Sequence, residues 1–109
     1  MYSAQCVANF LINECNRQNV PITNLKLQKL LYFVQGEYVR SYNERLIDDD
    51  FYAWQLGPVV PEVYYKFAIY SSSPIPEQKV GDSESLPVQV QEKIALLLPW
   101  YMKIVRAHV

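Results

Sequence analysis

Between Thr23 and Tyr42 apolar residues recur at helical spacing over most of a helix's girth, and this segment constrains the fold more than any other. Leu27, Leu30, Leu31, Val34 and Tyr38 make one stripe, and Leu25, Phe33 and Val39 widen it. Thr23 suits the N-cap, so the helix is expected over residues 24–42. A helix apolar on most sides belongs at the centre of a bundle. Gly36 lies inside it, where glycine costs about 1 kcal/mol against alanine. It is expected to mark the close approach of a neighbouring helix.

Other helices gather around this one. Residues 3–18 carry Val7, Phe10, Leu11 and Cys15 at helical spacing, with Ser3 as N-cap. Asn19 offers a left-handed stop, and Pro21 prevents simple continuation. Pro61 fits the first turn of a third helix over residues 62–70, with Val63 and Phe67 inward and Tyr64 and Tyr70 as further candidates. Residues 71–85 read as a loop broken by Pro74, Pro76 and Gly81, long enough to be mobile or functional. A last helix begins near Leu86-Pro87 on the stripe Val90, Ile94, Leu97, Leu98. Pro99 should break or kink it, since an interior proline costs about 3 kcal/mol. Between the second and third helices lies a polar stretch ending in Asp48-Asp49-Asp50. A short extended segment follows at 51–56, closed by Gly57-Pro58 as a turn. The expected fold class is all-α: a small bundle of four to five helices with that one extended segment. No internal repeat or second domain interrupts the 109 residues.

Composition limits function. Ten Lys and Arg against eleven Asp and Glu give a net charge of −1, so the chain as a whole is no phosphate-backbone binder. Cys6 and Cys15, nine residues apart on one helix, stand roughly 13 Å from each other. That is too far for a disulfide. Isolated thiols suggest a reducing compartment. With no basic-then-apolar leader and no run long enough to span a bilayer, the expected location is cytoplasmic, with no membrane partner.

Little of the chain speaks for catalysis. The single His108 is penultimate and lacks an orienting shell. Gly36, Gly57 and Gly81 are scattered, so no phosphate loop forms. Metal-ligand spacing is missing, and the three aspartates read more simply as a solvated loop than as a cation site. Lys26 and Lys29 are neighbours on a helix surface. They suit phosphate contact, or more simply cover the core rim with their stems. No enzyme activity, cofactor or metal is expected, and nucleic acid is a poor fit. The segment from Trp54 to Tyr65 stands out. Prolines fix its backbone while Trp54, Tyr64 and Tyr65 offer large contact area, as in a protein-binding hot spot. The plainer reading is that Trp54 packs over the core.

Two motifs, TNLKLQKLLYF at 23–33 and DDFYAWQLGPVVPEVY at 49–64, resemble the Panacea domain of SocA-like antitoxins, also described as GepA-like phage-associated proteins. The resemblance covers roughly residues 4–98. It implies an all-helical, non-enzymatic domain spanning 1–109, part of a toxin–antitoxin pair of a prophage or mobile element. It implies neutralisation of a cognate protein toxin by direct contact. The alternatives are a protease adaptor that delivers the toxin to a bacterial protease and a DNA-binding phage or operon regulator. The matching positions, taken as motif or partner-binding residues, are Lys26, Gln28, Lys29, Tyr32, Trp54, Gly57, Pro58, Pro61 and Tyr64. Gln28 and Lys29 lie in an apolar helix and need hydrogen-bond partners if buried. They are expected to tie that helix to the Trp54–Pro61 turn. The family pattern continues past this point with a further helix and Thr-His and Pro-Trp elements, so the resemblance implies a C-terminally shortened domain. The apolar strip left by a missing helix would favour a homodimer.

Overall fold

The computed structural model describes residues 1–107, with side chains through residue 103. Helix α1 (Ala4–Arg17) begins where the Ser3 hydroxyl accepts the Cys6 N–H. The residue that stops it is Asn19, left-handed at φ 57°. Helix α2 (Asn24–Tyr42) is capped by Thr23, whose side chain accepts the Lys26 N–H, and ends at a left-handed Asn43. Both starts follow from a short hydroxyl side chain satisfying an amide that has no partner within the helix.

Only part of the girth of α2 is covered. Leu27, Leu30, Leu31 and Val34 are fully buried, whereas Leu25, Tyr32 and Val39 are exposed. Gly36 also faces outward, and a methyl added there would meet nothing within 4 Å. The expected close helix approach at Gly36 is therefore absent.

The fold is mostly helical but not purely so. Strands β1 (Tyr52–Trp54) and β2 (Gly57–Val59) form an antiparallel hairpin pairing Tyr52 with Val59, Ala53 with Pro58 and Trp54 with Gly57. This corrects the expected turn: Gly57-Pro58 lies in a strand, and Gln55-Leu56 make the reversal. Gly57 adopts φ +121°, a conformation that side-chain-bearing residues rarely tolerate. Pro58 is tolerated because a two-stranded ribbon has open edges where its missing N–H breaks no ladder bond.

Helix α3 (Pro61–Lys66) is shorter than expected, and a single 3-10 turn at Ala68–Tyr70 replaces its last part. Val63 and Phe67 are buried as expected, while Tyr64 and Tyr70 are half-buried. The following connection is fastened rather than loose. Ile75 is buried and donates its N–H to Ile22 O at 2.8 Å. Asn13 accepts the Gln78 N–H at 2.7 Å and donates to Gln78 O at 2.9 Å.

Helix α4 (Val88–Ala107) runs through Pro99 without the expected break. Ala95 and Pro99 are both exposed, so water can replace the bond that the proline removes from the Ala95 carbonyl. Leu98 and Met102 on the opposite side stay packed against the core. The penultimate His108 lies outside the described residues.

Candidate partner-binding face

Gln28 is 1% exposed within a mostly apolar core, so its amide must be satisfied internally. It accepts the Val60 N–H at 3.0 Å and donates to Asn24 Oδ1 at 3.2 Å. Asn24 in turn donates to Tyr64 O at 2.9 Å. This chain of amides fastens the end of β2 and the first turns of α3 onto α2. Pro61 opens α3 at a position where no N–H is needed.

Gln35, two turns further along the same side of α2, repeats the device. Its Oε1 accepts the N–H groups of Leu46 and Ile47 at 3.2 and 2.9 Å, and its Nε2 donates to Ile47 O at 3.1 Å. Leu46 and Ile47 are thereby held fully buried. Ile47 also forms a single bridge to Tyr2. The nearby acids are structural too: Asp49 Oδ1 accepts the Ala4 N–H at 2.7 Å, placing a carboxylate on the positive end of α1. The expected fully solvated acidic loop is corrected to this extent, while Asp48 and Asp50 remain exposed.

On this frame the aromatic side chains assemble. Trp54 meets Tyr64 edge-to-face at 5.2 Å and Tyr65 at 5.7 Å, and the two tyrosines lie 5.8 Å apart. Tyr32 of α2 meets Phe51 edge-to-face at 5.4 Å. Trp54 and Tyr64 are half-buried, whereas Tyr32, Tyr52, Leu56 and Tyr65 are between 53% and 69% exposed. The rings brace one another from below and leave apolar surface above.

Seven of the nine motif positions thus divide into two kinds. Gln28, Gly57, Pro58 and Pro61 build the frame, and Tyr32, Trp54 and Tyr64 furnish its surface. Lys29 does not join the tie expected of it: it is exposed and makes no hydrogen bond or ion pair among the described residues. Three positions after Lys26 and one after Gln28, it points to the open side of α2. Lys26 is half-buried and contributes its backbone N–H to the Thr23 cap. Sequence reasoning passed over Asn24 and Gln35. The seven-residue spacing of Gln28 and Gln35 was the available signal, since it places two amides on one side of an apolar helix.

Among the described residues no group of three or more His, Cys, Asp or Glu side chains is placed to hold a metal ion. Burial, with a smaller push from Glu14, raises the Cys15 thiol to about 11, which keeps it protonated and unreactive near neutrality. No described helix is long and apolar enough to cross a membrane.

Comparison with known proteins converges on one family. The family model described as antitoxin SocA-like, Panacea domain, matches residues 27–97. That span contains Gln28, Gln35 and the whole hairpin–α3 unit. The antitoxin SocA of Caulobacter vibrioides (strain NA1000 / CB15N) is 43% identical over 65 residues, covering 60% of this chain and 35% of that protein. The match therefore spans about a third of the curated relative's length. No solved structure matches the chain. With the matched region holding both the frame and the aromatic surface, the chain belongs to the SocA-like antitoxin, Panacea-domain family.

Proposed function

We propose that this chain is an antitoxin that binds a protein toxin through the face built by the hairpin, α3 and the exposed side of α2. Binding is by docking alone, with no cofactor and no reaction step. The observation that carries this reading is the Trp54–Tyr64–Tyr65 cluster, braced by the buried Gln28–Asn24 network and flanked by exposed Tyr32, Tyr52 and Leu56. Rigid aromatic residues give a large contact area at small entropic cost, which is why they dominate binding hot spots. Exposed Lys29, Glu62 and Lys66 supply charges of both signs beside the rings, suited to orienting a protein partner rather than a phosphate backbone.

The test is co-expression with the product of the neighbouring gene, first assayed for toxicity on its own, followed by purification of the pair. The expected result is growth rescue and a stable complex. Tyr65→Ala, a change at an exposed ring, should weaken the complex about 30-fold while the chain stays folded. Rescue without a complex, accompanied by protease-dependent loss of the toxin, would replace direct neutralisation with an adaptor role. Salt-dependent retention on DNA with no toxin binding would replace it with operon regulation.

A further inference from the structure

Helix α4 buries one side and leaves the other without a partner among the described residues. Val90, Ile94, Leu98 and Met102 face the core. On the opposite side Glu92, Leu96, Pro99, Trp100 and Lys103 recur at helical spacing as one exposed stripe. Leu96 is 76% exposed and Trp100 75%, two large apolar side chains one turn apart on the same helix. Beside them runs a groove between α2 and α4, lined by Phe33, Glu37, Arg40 and Leu97, with Leu96 and Trp100 as its lip. This face is separate from the motif positions of the hairpin.

The order of the charges says what fits it. An exposed acid, Glu92, heads the stripe and an exposed base, Lys103, closes it, roughly 16 Å apart along the axis. The apolar pair lies between them. Such a stripe, turned end for end, complements itself: acid meets base at both ends and apolar meets apolar at the middle. That is the requirement of a twofold interface, in which the same patch serves on both sides.

We propose that the outer face of α4 is the interface between two copies of this chain. The two helices pack antiparallel about an axis passing between Leu96 and Trp100, and Glu92 of each copy faces Lys103 of the partner subunit. Leu96 and Trp100 lose their exposure at the centre, and the groove beside Phe33 receives the apolar edge of the second copy. This assembly leaves the hairpin and α3 uncovered, and the two faces adjoin only along α2, where Arg40 lines the groove.

Sedimentation of the full chain tests it by oligomeric state. The expected result is a reversible dimer, which Leu96→Glu converts to a monomer with unchanged helicity. Glu92→Lys alone and Lys103→Glu alone should each raise the dimer dissociation constant about tenfold, by turning two attractions into two repulsions. The double variant Glu92→Lys/Lys103→Glu restores the pairing with the signs exchanged, and its dimer should return to near the original affinity. A chain that stays monomeric at about 100 μM overturns the proposal. So does a dimer indifferent to the charge exchange. Loss of toxin binding by Leu96→Glu in a monomeric chain would assign the face to the toxin instead.

Discussion

Two long connections in this molecule are held by the same chemistry, to different depths. The connection between α2 and α3 is gripped by Gln28 and Gln35. The connection between α3 and α4 is gripped by Asn13 and Asn16, which bond to Gln78 and Ile75. In both, a side-chain amide supplies the acceptor and donor that a neighbouring strand would otherwise provide. The difference is burial. Gln28 sits in the core and Leu46 and Ile47 are fully enclosed, whereas Ile75 is the single buried residue between Ser71 and Ser85. An unpaired buried amide costs far more than an exposed one, because water cannot replace the lost partner. The first connection is therefore a rigid platform, and it is the one that carries the aromatic surface. The second is a strap over α1.

The comparison can be broken most forcefully at Gln28. Gln28→Ala strands the Val60 N–H and one end of the Asn24 amide in the core and should cost about 3 kcal/mol in urea unfolding. A loss below about 1 kcal/mol would mean that the platform is held by apolar packing alone. Gln35→Ala removes the acceptor of two N–H groups at a half-buried site, and about 2 kcal/mol is expected from the same measurement. Asn13→Ala should cost no more than about 1 kcal/mol overall, since water reaches Gln78. Its signature is faster amide exchange around residues 76–80 with the hairpin unchanged. Equal acceleration in the hairpin would show that the two connections are coupled. Lys29→Met should shift stability by less than about 0.5 kcal/mol, as for other exposed substitutions. A larger loss would return Lys29 to the frame from which the structure removes it.

How much of this was legible follows from the range of each interaction. The need of Gln28 for a buried partner could be read from its apolar surroundings, and its attachment to the Trp54–Pro61 region holds. The equal treatment of Lys29 failed because adjacent residues on a helix point about 100° apart, and one neighbour of a buried position is often exposed. Gly57-Pro58 looked like a turn because that dipeptide usually is one. Here the glycine's positive φ is used inside a hairpin whose reversal falls on the unremarkable Gln55-Leu56. Asp49 looked solvated because the α1 terminus that it caps lies 45 residues away in sequence.

The same division runs through the whole molecule. The sequence by itself determined what depends on neighbours within a turn or two. It placed the starts of α1 and α2 at Ser3 and Thr23, the left-handed stop at Asn19, and the core stripes of α2 and α4. Caps and helical periods are local, so the residues that decide them stand side by side in the chain. Tertiary structure alone decided which faces of α2 and α4 stay open, that α4 continues through Pro99, and where the amides of Gln28 and Gln35 find their partners. Those outcomes depend on whether water or another segment meets a given side of a helix. Only the folded chain brings segments from 12 to 45 residues apart close enough to settle that.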